Sequence, residues 1–176
     1  PLLSQLLAGE LPLTLSYLLP EIKRCRALAE GARRILSAGV ADLLDGEGLL
    51  HGGHFALMRP LLACWTRCEA MGRQLKPGCF SASARRQLAD MTRHAIRFAR
   101  HGGGAMLGFS SQGDDADLLR AAVDLQGVAK DRALAAFFLS PARGGKSNRG
   151  KSPKMPRPAV QSEWAAAALL RTDWSP

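Results

Sequence analysis

The sequence predicts a mainly α fold, with helical pairs joined by glycine-rich loops, followed by a basic linker and then a strand. Three observations predict it. Apolar residues recur with a period near 3.6 through most of residues 1–139. Ala and Leu dominate an apolar fraction of 47%, while aromatics make up only 6%, a balance that favours helix. The texture then changes at residue 140 to Pro, Gly, Ser, Lys and Arg, with almost nothing to bury. At 176 residues the chain can build one core of ordinary size.

The elements follow in order. Leu2 to Ala8 reads as a short apolar helix ended by Gly9. Leu11 to Leu19 reads as a second, with Pro12 near its start, where a missing N–H costs little. A long helix then runs from Pro20 to about Leu44. Its inward stripe is Ile22, Cys25, Ala29, Ala32, Ile35, Leu36, Val40, Leu43 and Leu44. Gly31 and Gly39 weaken it or admit a close neighbour. The next helix spans about His54 to Met71, with Leu57, Leu61, Leu62, Trp65, Cys68 and Met71 inward and Gly72 as its stop. Pro77-Gly78 marks a turn. Ser81 or Ser83 caps a helix to about Arg100, with Leu88, Met91, Ala95, Phe98 and Ala99 inward. Asp114 or Asp115 caps the next, Gly127 interrupts it, and a last helix covers about Ala129 to Leu139 before Pro141.

Residues 140–159 read as a disordered linker. From Gln161 to Trp174 the alanine run alone favours helix, but the flanking tryptophans and the T-D-W-S-P ending point to a strand. The first residue is Pro1 and the last are Trp174-Ser175-Pro176, so the chain reads as a segment of a longer protein.

Charge and cysteine content narrow the function classes. The net charge is +9, but Arg143, Lys146, Arg149, Lys151, Lys154 and Arg157 supply six of those charges with no acid between Ser140 and Gln161. The basicity belongs to one linker rather than to the whole surface. That linker has no aromatic residue to stack a base, which argues against nucleic acid. Gly144-Gly145-Lys146-Ser147 is not a phosphate loop, because Ser140 stands where the first glycine is required. No run of about 18 apolar residues exists, so no membrane span is expected. Leu2 to Leu19 is broken by Gly9, Glu10, Pro12 and Pro20 and does not read as a signal peptide. The four cysteines Cys25, Cys64, Cys68 and Cys79 lack zinc spacing and read as small buried apolar residues. No cofactor is expected.

The stretch most suited to chemistry is Asp45 to Arg59, D-G-E-G-L-L-H-G-G-H-F-A-L-M-R, between two long helices. Its glycines permit sharp turns and close approach to a ligand. Its candidate site residues are His51, His54 and Arg59. A histidine suits proton transfer because its ordinary pKa lies near neutrality. The bland alternative keeps His51 and His54 as loop and cap residues that satisfy backbone groups, and Arg59 as part of the junction before Pro60. A metal pair is weakly supported, since no carboxylate has matching spacing. His94 and His101 read as structural groups near a helix C-terminus. Asp114 and Asp115 read as caps, and Trp65 as core.

The order of motifs resembles the heparinase II/III family of polysaccharide lyases. The carriers are I-L-S-A-G-V-A-D-L-L-D-G-E-G, the His-containing loop and helix after it, and R-F-A-R-H-G-G-G-A-M-L-G-F-S-S-Q-G-D-D-A-D-L-L. The segment from Ser162 to Ser175, S-E-W-A-A-A-A-L-L-R-T-D-W-S, is similar to the first strand of that family's β-sandwich. The resemblance spans most of residues 30–175. It implies (α/α) toroid-like helical pairs over 1–139, a basic linker over 140–159, and the start of an antiparallel β-sandwich over 160–176. It implies β-elimination on an acidic polysaccharide and a periplasmic or secreted setting, with no nucleic-acid or membrane partner. It also implies that the 102–113 loop joins His51, His54 and Arg59 on one concave face.

The chain departs from the family at its base. Phe55 stands four residues before Arg59, where the family carries a Tyr, and the only tyrosine here is Tyr17, far upstream. The family's Asn-His pair has no counterpart. His54 or His51 is then the substitute base, with Arg59 at the substrate carboxylate. A non-enzymatic helical scaffold, whose basic linker contacts acidic partners, is the competing reading.

Overall fold

A computed structural model describes residues 1–99, 115–139, 157–170 and 172. The chain is mainly helical, with a small two-stranded antiparallel sheet. The expected turns at 102–113, the cap at Asp114, His101 and most of the basic linker lie outside the described residues.

Glycine does not end the first helix. Helix α1 (Leu2–Ser4) passes through a π-helical segment (Gln5–Glu10) into α2 (Leu11–Leu18) without leaving helical backbone angles at either junction. The sequence predicts two separate helices split by Gly9. Gly9 serves packing instead of turning, because a Cβ there would lie 2.7 Å from Leu36 Cδ2. Gly39 works the same way from the opposite helix, since a Cβ there would overlap the Gln5 side chain. Gln5 uses that space. Its amide donates to the Ile35 carbonyl at 3.2 Å and accepts from Trp65 Nε1 at 2.9 Å. Trp65 is fully buried and core, as its period requires.

Helix α3 (Lys23–Leu43) starts later than expected. Ile22 sits at its N-cap in extended backbone and is exposed, while Cys25 and Ile35 are half-buried. The remaining stripe residues, from Ala29 to Leu44, are buried. A 3-10 helix (Gly52–Leu57) leads into α4 (Met58–Gly72), so the helix expected from His54 begins with a tighter turn. Helix α5 (Ala82–Phe98) is capped by Ser81, whose Oγ accepts from the Ala84 N–H at 3.2 Å. Helices α6 (Ala116–Gln126) and α7 (Ala129–Phe138) flank Gly127. There a Cβ would lie 2.7 Å from the Val123 carbonyl oxygen. Helix α3 packs on α2 and α5, α4 on α5 and α6, and α6 on α7. Their buried side chains form one core around Leu36, Leu61, Trp65, Leu88 and Met91. All four cysteines are free thiols. Cys79 donates to Glu69 Oε2 at 3.5 Å, and burial first, then the adjacent Glu69 charge, pushes its pKa up.

The single strand expected over 160–176 is a hairpin in its described part. Strands β1 (Val160–Ser162) and β2 (Ala167–Leu169) pair antiparallel, with Gln161 opposite Ala168. The turn between them is held by Ser162 Oγ, which accepts from the Ala165 N–H at 3.1 Å, and by the Ala166 N–H to Glu163 carbonyl bond at 3.0 Å. Ala166 takes a positive φ of 48°. The alanine run does not form the helix its propensity favours because Ala165 is buried against the helical body. Val160, Ala167 and Leu169 pack on the same core. The end of the expected linker is also docked, since the Arg157 carbonyl accepts from Arg97 Nε at 3.0 Å.

Candidate functional site

The Asp45–Arg59 connection divides into a locked half and an open half. In the first, Asp45 Oδ1 accepts from the Glu47 N–H at 2.9 Å and the Leu49 N–H at 2.8 Å. This is the local turn that aspartate favours. Gly48 has φ of 79°, and a Cβ there would lie 2.5 Å from the Gln87 carbonyl oxygen. Only glycine fits such a position. Gln87 Nε2 donates to the Asp45 carbonyl at 3.0 Å, and Leu44 bridges to Leu50. The loop is thus clamped onto α5, and the Asp45 carboxylate serves its own backbone.

His94 completes the clamp. Its Nε2 meets the Glu47 carbonyl at 3.0 Å and its Nδ1 meets Arg97 Nη1 at 2.8 Å. A guanidinium only donates and a carbonyl only accepts, so His94 is neutral with its proton on Nε2. Burial chiefly, then the Arg97 charge, pushes its pKa down to about 4. The sequence places His94 near a helix C-terminus, where it favours the dipole; in the fold it instead ties α5 to the loop.

In the second half the chemistry-bearing groups stay accessible. His51 is the N-cap of the 3-10 helix, and its Nδ1 accepts from the Gly53 N–H at 3.2 Å. A backbone N–H only donates, so in neutral His51 the proton sits on Nε2, away from the loop. The His51 and His54 ring centroids are 6.0 Å apart. Both residues are half-buried. The hairpin turn closes over this loop. The Gly52 N–H donates to the Ala165 carbonyl at 2.6 Å, and a Cβ on Gly52 would lie 3.0 Å from that oxygen. Trp164 meets His51 edge-on, with centroids 5.6 Å apart and planes at 88°.

Phe55 and Arg59 face other tasks. Phe55 is half-buried and packs edge-to-face on Phe98 with centroids 5.3 Å apart. Arg59 pairs through Nε with the carboxylate of Asp115, which is fully buried, while 39% of the Arg59 side chain stays exposed. Asp115 therefore lies at the start of α6 but makes no side-chain cap bond there. The structure brings His51 and His54 together and ties Arg59 to α6. The 102–113 loop expected beside them lies outside the described residues.

Two participants are not foreseen by the sequence. Trp164 reads there as a residue flanking a strand. Its contact with His51 has no local sequence signal, because the two residues lie far apart in the chain. Asp115 as the partner of Arg59 has no sequence signal, because 56 residues separate the two. Among the described residues no group of three or more His, Cys, Asp or Glu side chains could hold a metal ion. No protein family, curated protein or solved structure matches the chain.

Proposed function

We propose that this chain is part of a heparinase II/III-like polysaccharide lyase that binds uronate-containing acidic polysaccharide and cleaves it by β-elimination at the His51–His54 loop. In this reading the helices belong to an (α/α) toroid and the hairpin opens a β domain. The observation that carries it is the placement of two half-buried histidines with ring centroids 6.0 Å apart, just after the part of the loop that is clamped onto α5, beside an aromatic ring.

The reaction follows from their different hydrogen bonding. His54, in its neutral form, takes the C5 proton of the uronate. The electrons of that C–H bond form the C4–C5 double bond, the C4–O bond breaks, and its electron pair leaves with the oxygen. The proton on His54 passes to that oxygen, so no net proton is gained or lost. His51 offers its Nε2–H to the carboxylate as negative charge builds there, a donor that needs no reorganisation. Arg59, its side chain 39% exposed beyond its pairing with Asp115, is the cation this reading assigns to the substrate carboxylate. Phe55 has no hydroxyl, so it takes no proton-transfer role.

The test is ultraviolet absorbance of the unsaturated uronate, followed on heparin, heparan sulfate, alginate and pectate. A rise that His54→Ala abolishes supports the lyase. Binding without any rise leaves a polysaccharide-binding protein whose catalysis was lost with the tyrosine. The six cations between Ser140 and Gln161 favour a second reading, a scaffold that holds acidic partners. It requires binding that falls steeply with salt and disappears when residues 143–157 are removed.

A further inference from the structure

We infer that Trp164 is the stacking platform for an uncharged sugar ring adjacent to the uronate. The inference rests on the reading of the His51–His54 loop given above. Trp164 is 51% exposed, yet its surroundings are pinned. Ala165, next in the chain, is fully buried, and its carbonyl and N–H are both held, by Gly52 and by Ser162. His51 supports the indole edge-on. A large aromatic side chain held this way offers an apolar face to a ligand with little ordering cost. Among the described residues the core closes beneath the turn at Ala165 and leaves that indole face outside it.

The charge at the turn selects the ring. A cleft of about 290 Å³ on the same hairpin, next to Trp164 in the chain but not lined by its indole, is formed by Gln161, Ser162, Glu163, Ala166, Ala167 and Ala168. Amide, hydroxyl and carboxylate groups there suit sugar hydroxyls. Glu163 disfavours a second carboxylate nearby. The uronate therefore belongs at the histidines and its uncharged neighbour at Trp164.

Calorimetry with a uronate-containing hexasaccharide and a neutral hexasaccharide tests this. Trp164→Ala is expected to weaken uronate-hexasaccharide binding about tenfold, by loss of one aromatic face of contact. The loss is expected to be the same at low and high salt, since no charge is removed. Trp164→Phe is expected to recover most of it, with melting temperature unchanged in both. In a Trp174→Phe background, saturating uronate hexasaccharide is expected to protect the exposed indole from acrylamide, because Trp65 is already buried. Wild-type and Trp164→Ala proteins that bind equally well overturn the platform while leaving the lyase reading intact. A loss that Phe does not recover, without protection from acrylamide, also overturns it. Binding of the neutral hexasaccharide alone, abolished in Trp164→Ala, keeps the platform and removes the lyase reading. No binding of either sugar removes both.

Discussion

His94 and His51 stand on the two sides of one loop and show how differently a fold can use the same side chain. His94 is buried and spends both ring nitrogens, one on the Glu47 carbonyl and one on Arg97. His51 is half-buried and spends one, on the Gly53 N–H. Among the described residues, the ring of His54 touches His51 and makes no hydrogen bond. Position along the chain does not separate the locked histidine from the accessible ones here. What separates them is how many nitrogens remain for a ligand. His94 stabilises the loop that presents the other two.

Substitution tests that contrast directly. His54→Ala is expected to lower turnover on the responsive polysaccharide at least about a hundredfold, the size of a lost general base. Its melting temperature should stay near wild type, since no described hydrogen bond is removed. His94→Ala is expected to do the reverse, lowering stability with little direct effect on chemistry. Equal melting losses in the two variants would break the distinction.

Acid titration sharpens it further. His94 is held neutral, facing Arg97 and Arg93 on its own helix and Asp45 and Glu47 on the loop. Its pKa is about 4 in the folded chain, against an ordinary value near 6.5. The stability it contributes is fully present above the unfolded value. It is lost as pH falls from about 6.5 through about 4, amounting to about 3 kcal/mol. Chemical denaturation across that range should show the slope in wild type and in His54→Ala, and a flattened slope in His94→Gln. An unchanged slope in His94→Gln would show that other groups carry the acid sensitivity.

Arg59 occupies a middle ground. Removing it leaves the buried Asp115 carboxylate without that cation, so Arg59→Ala is expected to cost about 2 kcal/mol. Adding Asp115→Asn to that variant should recover part of the loss, which a double-mutant cycle measures. Independent, additive losses would mean that the pair is not coupled. The smallest effect is expected at the hairpin turn. Ala166 sits at φ of 48°, and Ala166→Gly should stabilise the protein by about 0.5–1 kcal/mol through relief of left-handed strain. A lower melting temperature in that variant would show that the added chain entropy of glycine outweighs the strain.

Much of the helical body is legible in the sequence. Leu36, Val40, Leu61, Trp65, Leu88 and Met91 follow a helical period, and burial of a helix stripe depends mainly on that period. Ser81 is legible as a cap because capping is local chemistry. Gly9 is not, since one glycine can serve a stop or a close contact, and only the neighbour at Leu36 decides. The alanine run reads as one strand and folds as a hairpin. Its turn depends on Ala165 docking against Gly52, a contact made across the chain.

The sequence by itself determined the helical class, the core stripes, the location of the His51–His54 loop and the absence of a tyrosine at Phe55. These depend on residue identity and on spacing within a few turns. Tertiary structure alone decided that His94 is locked and His51 half-open, that Arg59 is tied to Asp115, and that Trp164 stands over His51. Each of these joins groups far apart in the chain or sets their burial. Burial and the choice of hydrogen-bond partner depend on which surfaces meet rather than on local order.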